Sequence, residues 1–391
     1  MNLRPVYLVV VTATLSAGAL AASTSATRAV EGGCSPSSTI LESPRAQSVE
    51  VQAKAINDRG DVVGFADSKD SKGPIHAILW RGGKAAGAID LGVLPGYVAS
   101  EAYGVNDDRV VFGLLVDKKK RAVPFRWASG RMTVLKGPGG ELLTTDNPGA
   151  GGRNAINSRG EMAWTMVVGG DRRAVRWAPN GKATYLPALP GHAWTDAFGI
   201  NDDGIVSGWS RKLPNHDGAE NPVLWTRSGK VIPLKTARGQ ADGIAEATNA
   251  AGMTVGYLGN QSNTEPEMDQ FAVWRTRAAA PQLMGPLRPN LIAEFVDVND
   301  RGQAIGMTGT QNPRTGFISP ARAVIWRTGW TAVRPLAVPA ASRRANPFVV
   351  PALNDINARG AIVGNVYGLA GETYSDLRRI DPVVWACAFG S

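Results

Sequence analysis

The sequence predicts an all-β protein, a seven-bladed β-propeller in which a strand near the N-terminus completes the last blade. Three observations predict this fold. One short segment recurs seven times along the 391 residues, a tryptophan follows each copy at a similar distance, and the two ends of the chain supply complementary parts of one repeat unit. Repetition at a period of about 20–50 residues is typical of solenoids, propellers and repeat arrays.

The recurring segment first appears as AINDRGDVVG at 55–64. Its asparagine returns at spacings of 49, 51, 44, 48, 50 and 58 residues, and a glycine stands seven residues after each copy except the third, where Trp164 replaces it. The anchoring asparagines are Asn57, Asn106, Asn157, Asn201, Asn249, Asn299 and Asn357. A tryptophan follows each of them by 20 to 28 residues, at Trp80, Trp127, Trp177, Trp225, Trp274, Trp326 and Trp385.

Each unit has the pattern of four short antiparallel strands, which we name a to d. The Asn-x-x-Gly sequence is typical of a tight turn, and the apolar, β-branched stretches on either side of it predict an a–b hairpin. After a variable b–c loop, a third stretch ends in the tryptophan, as in Ile78-Leu79-Trp80, and a second turn leads to strand d, as in 88–91. Four strands in about 48 residues is the size of a propeller blade.

The two ends of the chain complete one another. The seventh unit stops just after its third strand, at Trp385, and so lacks a strand d. Before the first asparagine, the segment 38–42 reads as a strand d and has no unit of its own. A ring closed by this N-terminal strand accounts for both ends and removes the open sheet edges that a solenoid would leave.

The composition is compatible with one large β domain. Hydrophobic residues make up 43% of the chain and charged residues 19%, which excludes a mostly disordered protein and argues against a coiled coil or helical solenoid. Two cysteines and three histidines are too few for a zinc ribbon or a histidine-rich catalytic centre, and we expect no cofactor and no metal. We expect residues 38–391 to form the propeller, after a linker at 22–37.

Residues 1–21 have the pattern of a secretory signal peptide. A short positive region ends at Arg4, residues 6–21 are apolar, and Ala19-Leu20-Ala21 has the small residues that a signal peptidase recognises. An N-terminal membrane anchor is the alternative, although the apolar run is shorter than the roughly 20 residues that span a bilayer. We therefore expect an exported protein, secreted or associated with the cell surface, with no transmembrane segment in its mature chain.

Two further motifs accompany the Asn-x-x-Gly turns. The strand that ends in the first repeated tryptophan reads His76-Ala77-Ile78-Leu79-Trp80, and the segment at 90–96 reads DLGVLPG. Together these motifs resemble HAF repeats, which are named after a His-Ala-Phe signature in bacterial extracellular repeat proteins. The resemblance covers nearly the whole mature chain, but only the first unit keeps the histidine. It implies an extracellular repeat protein and implies no catalytic residues.

The repeated asparagines, glycines and tryptophans are explained by turns and packing, so we expect function in the segments that vary between units. The b–c and d–a loops share one face of the ring, the loop face. One of its b–c loops carries Lys118, Lys119 and Lys120, which are candidate ligand-binding residues. The loops of unit four offer candidates for divalent-metal binding or acid/base chemistry, although scattered solvent-facing residues are the alternative explanation. These candidates are His192, Trp194, Asp196, His216, Asp217 and Glu220.

The opposite face, the turn face, carries the a–b and c–d turns. Its c–d turns hold nine positive charges and no acid immediately after the repeated tryptophans, whereas charges in the a–b turns nearly cancel. We call the nine residues the basic rim: Arg81, Lys84, Arg131, Lys182, Arg227, Lys230, Arg275, Arg277 and Arg327. A rim of this kind is suited to an anionic polymer or an anionic lipid. Nucleic acid is a weaker candidate, because no aromatic residues interleave with these charges. The alternative is that exposed cations simply keep a repeat protein in solution.

These observations predict an exported, monomeric propeller that binds an anionic ligand of the cell envelope or its surroundings without catalysis. The binding surface is expected to be the basic rim or the loop face. The alternative is a secreted hydrolase or lyase that acts on a saccharide or small metabolite at the mouth of the propeller channel. No nucleophile elbow, metal-protease helix or phosphate loop is present to decide between them.

We predict a disulfide between Cys34, just before the closing strand, and Cys387, just after the strand that it pairs with. Such a bond is chemically allowed in an exported protein, and it would close most of the chain into one loop. On the chain-entropy model its reduction should lower the free energy of unfolding by several kcal/mol. Mass spectrometry of non-reduced peptides tests this, and free thiols at both positions would contradict it.

Overall fold

The computed structural model describes residues 37–44, 50–67, 74–145, 155–212, 219–240, 242–259, 269–287, 291–311, 318–345, 349–369, 377–386 and 388–389. Its strands form seven small antiparallel sheets, arranged as a seven-bladed β-propeller. This arrangement confirms the predicted fold class. The signal peptide, most of the linker and both cysteines lie outside the described residues, so those features stay predictions.

Six blades have four strands, and the third has three within the part of the chain that the structure describes. The strands, in chain order, are β1 (Ser37–Ile40), which belongs to blade 7; β2 (Val51–Ile56), β3 (Val62–Ala66), β4 (His76–Trp80) and β5 (Ala88–Asp90) in blade 1; β6 (Tyr97–Val105), β7 (Val111–Asp117), β8 (Ala122–Ala128) and β9 (Arg131–Val134) in blade 2; β10 (Met162–Val168), β11 (Asp171–Trp177) and β12 (Ala183–Tyr185) in blade 3; and β13 (Trp194–Ile200), β14 (Val206–Arg211), β15 (Glu220–Trp225) and β16 (Val231–Pro233) in blade 4.

The remaining three blades continue the same order. Their strands are β17 (Asp242–Thr248), β18 (Thr254–Gly259), β19 (Gln270–Trp274) and β20 (Gln282–Met284) in blade 5; β21 (Leu291–Val298), β22 (Gln303–Gln311), β23 (Ile318–Arg327) and β24 (Arg334–Pro335) in blade 6; and β25 (Val349–Ile356), β26 (Ile362–Leu369) and β27 (Leu377–Ala386) in blade 7. A short helix, α1 (Ala340–Ala345), lies between blades 6 and 7.

The N-terminal strand closes the ring as predicted. Strand β1 pairs with β27 in blade 7, with Ser37 opposite Ala386 and Ile40 opposite Val383. The ladder continues for one more residue, because the N–H of Leu41 donates to the carbonyl of Pro382 over 2.8 Å. The chain therefore supplies strand d of its last blade from its other end.

The first strand of each blade packs around the axis. For example, β2 contacts β25 on one side and β6 on the other, and β17 contacts β13 and β21 in the same way. In six blades this strand has a β-bulge three residues before the repeated asparagine. The bulge brings the backbone of strand a close to strand b.

This close approach explains the glycine seven residues after the asparagine. A Cβ added at Gly64 would stand 1.9 Å from the carbonyl oxygen of Gln52 in strand a, and at Gly208 it would stand 1.8 Å from that of Asp196. No side chain fits at such a distance. The glycine is therefore needed wherever strand a is fully formed.

Blade 3 departs from the repeat at this same position. Instead of the glycine it has Trp164, whose fully buried ring packs 4.9 Å from Tyr103 and 5.2 Å from Phe112 of blade 2. Within the described residues, strand a of this blade is reduced to a single bridge between Ile156 and Met162. Of the four strands that the sequence predicted for this unit, strands b, c and d are therefore present within the described residues.

The seven repeated asparagines form a closed ring of hydrogen bonds, which we call the asparagine ring. Each side-chain amide donates to the backbone carbonyl of the asparagine in the next blade, at N···O distances of 2.9 to 3.4 Å, and Asn357 donates back to Asn57. Each side-chain oxygen accepts from the N–H four residues later in its own turn, at 2.7 to 3.1 Å. One side chain thus folds its own turn and holds the neighbouring blade.

The repeated tryptophans add a second set of contacts between blades. All seven are buried, as a core role requires. Five of the indole N–H groups donate to a carbonyl just after strand d of the preceding blade, as Trp225 does to Pro187 over 2.7 Å. Trp326 instead donates to the carbonyl of Trp330 in its own c–d turn over 2.9 Å.

Blades 6, 7 and 1 are joined by two buried carboxyl groups. Asp297 is 1% exposed and Asp355 is 3% exposed. The carboxyl of Asp297 accepts from the N–H of Ile356 over 3.0 Å, and that of Asp355 accepts from the N–H of Ile56 over 2.8 Å. Burial, together with the charge of Asp297 and a hydrogen bond to it, raises the pKa of Asp355 well above its ordinary value. The pair therefore retains a proton at pH values where an exposed aspartate has lost it.

We expect Asn249→Ala to lower the free energy of unfolding by about 1–3 kcal/mol, because it leaves the carbonyl of Asn299 and the N–H of Met253 without their bonds. Denaturant unfolding measures the change. Asn180→Ala is the matched control, since Asn180 is an exposed turn residue whose oxygen accepts only from the N–H of Lys182. Equal effects of the two substitutions would contradict a special role for the asparagine ring.

We expect Asp355→Asn to make the protein more stable relative to the wild type at pH 8 than at pH 4. Below the pKa that Asp355 has in the unfolded chain, this residue is protonated in both the folded and the unfolded wild type. As the pH rises from there towards the higher pKa of the folded protein, only the unfolded chain releases the proton. The free energy of unfolding therefore falls by about 1.4 kcal/mol for each unit by which folding raises the pKa. Asparagine cannot ionise and avoids this loss. Parallel stability–pH curves for the two proteins would show that the pair does not share a proton.

Candidate functional site

The basic rim lies where the sequence analysis placed it, on the c–d turns of six blades. In three of these turns a glycine with φ between 81° and 87° reverses the chain, and the next residue is a cation. These residues are Arg131, Lys182 and Lys230. Eight of the nine rim side chains are exposed, and Arg327 is half-buried. The short d strands after the turns place the charges on the outer part of the turn face.

One rim residue is held by an acid. Arg227 lies 3.2 Å from the carboxylate of Glu161, which also binds Arg176 over 2.5 Å. Hydrogen bonds from Asn157 and Arg176 and the charges of both arginines outweigh the effect of burial and lower the pKa of Glu161. Among the described residues, no carboxylate lies within ion-pair distance of the other eight. The rim is therefore largely without internal charge compensation.

Four carboxylates of the a–b turns connect neighbouring blades. Asp58, Asp107, Asp202 and Asp300 directly follow repeated asparagines, and each accepts a backbone N–H from the adjacent blade at 2.7 to 3.3 Å. Burial raises the pKa of Asp58, and the charges of the other three carboxylates add to this effect. Arginines of the same turns nearly balance these acids, so the net positive charge of the turn face lies at its edge.

The basic loop of blade 2 is a tight turn on the loop face. Asp117 accepts from the N–H groups of Lys119 and Arg121 at 2.8 and 3.0 Å and forms an ion pair with the Arg121 side chain. The hydrogen bond from the backbone of Arg121 is the largest cause of the lowered pKa of Asp117. Lys118, Lys119 and Lys120 are exposed, so this loop presents a small cationic patch.

Two of the unit-four candidates lie in buried ion pairs on one face of blade 4. Asp196 binds the guanidinium of Arg172 from blade 3, with Nε 2.9 Å from Oδ1, and Arg211 binds Glu220 over 2.5 Å. Burial raises the pKa of Asp196, against the opposing effect of Arg172. The indole of Trp209 lies between the pairs, with the Cζ of Arg172 6.0 Å and that of Arg211 5.3 Å from its centre.

Of the other unit-four candidates, only Trp194 lies beside these pairs within the described residues. It stands opposite Arg211 in the a–b ladder, packs against the cluster that contains Trp209, and donates to Asp171 over 3.2 Å. The ring of His192 lies 3.0 Å from the hydroxyl of Ser210, which alternates with Trp209 and Arg211 along β14 and so faces the other side of the blade. His216 and Asp217 lie outside the described residues. In the described part of the chain, no group of three His, Cys, Asp or Glu side chains is placed to hold a metal ion.

An aromatic side chain that was not expected lies beside the rim. Trp330 lies in the c–d turn of blade 6, with the Cζ of Arg327 5.2 Å and that of Arg334 3.8 Å from the centre of its ring. One aromatic group therefore does interleave with the rim charges, contrary to expectation. The signal was in the sequence, because Trp330 follows the turn glycine Gly329 where three other blades have a cation.

Comparison with known proteins supports the fold. No family model matches the chain, and no curated protein matches it. An oligogalacturonate lyase from Vibrio parahaemolyticus superposes with a TM-score of 0.52 at 12% identity, over 89% of this chain and 93% of that one. A streptogramin B lyase gives 0.46 at 11% identity, over 90% and 97%. At such identities the likeness concerns the propeller fold alone.

The described residues contain no helix that is long and apolar enough to cross a membrane.

Proposed function

We propose that this protein is an exported, non-catalytic β-propeller that binds an anionic polymer of the cell envelope or its surroundings through the basic rim. The observation that carries the proposal is the charge of the c–d turns, which present nine cations on six blades with one acid pairing among the described residues. Export rests on the signal-peptide pattern of residues 1–21.

The distribution of charge on the turn face favours a polymer over a small anion. Cations spread along the edge of a ring can each contact a different charged group of one long chain, and the contacts then add. The a–b turns nearer the axis carry almost no net charge, so the attraction for such a chain is concentrated along the rim. Exposed pairs of this kind are weak one by one and are screened by salt, so the binding should depend strongly on ionic strength.

The loop face offers less support for an enzyme. A hydrolase or lyase acting on a saccharide or small metabolite would need a carboxylate free to exchange a proton with its substrate. Asp196 and Glu220 are each bound to an arginine; the first pair joins blade 3 to blade 4, and the second joins two strands of blade 4. This pairing favours a structural role for both residues.

We expect a variant with Arg81, Arg131, Lys182 and Lys230 all changed to glutamine to lose most of its affinity for long-chain polyphosphate. These four side chains are exposed and make no described ion pair, so the fold should be unaffected. By analogy with single-stranded nucleic acid, losing four contacts should reduce the slope of log affinity against log salt by about 3. Affinities measured by biolayer interferometry at several salt concentrations test this.

Two control variants locate the binding surface. Changing Lys118, Lys119 and Lys120 to glutamine removes charge from the loop face and should leave the affinity within about twofold of the wild type, because surface charges far from a site are screened. The triple change of His192, His216 and Asp217 to alanine should also leave it unchanged. Loss of binding in either control variant would show that the binding site is on the loop face. If the wild type does not bind polyphosphate in a salt-sensitive way, the rim is not a ligand site.

A further inference from the structure

The c–d turn of blade 6 differs from the other turns of the rim. It has an indole where blades 2, 3 and 4 have a cation directly after the turn glycine, and two arginines contact that indole. We call Arg327, Trp330 and Arg334 the blade 6 clamp. In a protein built from repeats, a feature that one unit alone carries is a candidate for specific recognition.

The indole of the clamp is held from several sides. The backbone N–H of Trp330 donates to the carbonyl of Arg327 over 3.0 Å, and the carbonyl of Trp330 accepts from the buried indole of Trp326 over 2.9 Å. Trp330 packs against two hydrophobic clusters, one shared by blades 5 and 6 and one shared by blades 6 and 7, and its ring lies 6.5 Å from the ring of Phe389. Trp330 is therefore a fixed platform for the two guanidinium groups.

The two guanidinium groups are close together and lack a carboxylate. Both lie against the same ring, so their Cζ atoms are separated by no more than the sum of 5.2 and 3.8 Å. Among the described residues neither forms an ion pair. Stacking on an aromatic ring reduces the side-chain freedom that an arginine must give up when it binds, and it leaves the N–H groups at the edge of the guanidinium available.

We propose that the blade 6 clamp is a binding site for a phosphate or sulfate group. A single guanidinium can satisfy both oxygens of a carboxylate, whereas a tetrahedral phosphate or sulfate group presents two or three accepting oxygens in different directions and can engage two guanidiniums at once. This inference deepens the proposed function and rests on it, because the clamp would give the rim its preference among anionic polymers.

The test uses a double variant that keeps the charge. Arg327→Lys with Arg334→Lys preserves the net charge of the rim but removes the planar, bidentate donors. Arg275→Lys with Arg277→Lys makes the same change on blade 5, where no described aromatic ring contacts either residue, and is the matched control. Affinities for polyphosphate, dextran sulfate and polygalacturonate are measured for the three proteins, with thermal unfolding to confirm that each is folded.

We expect the wild type to prefer polyphosphate or dextran sulfate to polygalacturonate at equal charge, by about tenfold, since a second guanidinium adds charge-assisted hydrogen bonds that a carboxylate already satisfied by the first cannot accept as well. The preferred polymer shows whether the clamp takes phosphate or sulfate. The blade 6 variant should lose this preference while still binding all three polymers, and the blade 5 variant should keep it. If the wild type binds all three polymers without preference, or if both variants lose the preference equally, the clamp is not a specific site, while the rim can still be the surface that binds the polymer.

A second readout does not depend on polymer binding. Pyrophosphate and sulfate are titrated into protein labelled with ¹⁵N arginine, and the Nε–Hε signals of Arg327 and Arg334 are assigned by their absence from the blade 6 variant. Saturable shifts of these signals that the blade 5 arginines do not share support the clamp even if no polymer binds the rim. Unchanged signals with both anions would overturn it.

Discussion

The bond from each repeated asparagine amide to the carbonyl of the next asparagine is the constraint on which the rest of this structure depends. A propeller blade is a small sheet with little core of its own, so its stability comes from contact with its neighbours. The asparagine ring fixes the register of those contacts, because the side chain that shapes one a–b turn is also the donor to the next. The seven turns are thereby joined in one closed ring. Because each buried amide needs a hydrogen-bond partner for both its oxygen and its nitrogen, its side chain can take few other positions.

This constraint also divides the molecule into two kinds of surface. The turn face is built on the ring, and its charges are carried by short turns whose positions the backbone fixes. The loop face is connected by segments that need not be alike, and there blade 4 contains two arginine–carboxylate pairs, one of them with an arginine of blade 3. Charged residues therefore recur at similar positions from blade to blade on the turn face, whereas on the loop face they differ between blades.

Much of the fold could be predicted from the sequence, since the period, the turn chemistry and the complementary ends act through short-range rules. What could not be predicted are contacts between side chains of different units. The period reveals Asn57 and Asn106 as turn residues, but only the three-dimensional ring shows that one bonds the other. Likewise the exchange of a glycine for Trp164 was visible, but its consequence for strand a depends on how close two backbones come. Of the candidate site, the rim was predictable from charge counts, whereas the stacking of Arg334 on Trp330 was not, because it arises from the shape of a single turn.

The pairing of β1 with β27 has a consequence for the order of folding. The two strands come from opposite ends of the chain, so the first strand to be synthesised is among the last to find its partner. Until then β27 presents an open sheet edge, and residues 37–40 must remain unpaired while six blades form. Contacts between distant parts of a chain form slowly, because the entropy of closing the loop opposes them until late. A chain without residues 37–40 would therefore leave β27 as an unpaired edge of blade 7, the kind of edge to which another strand can add.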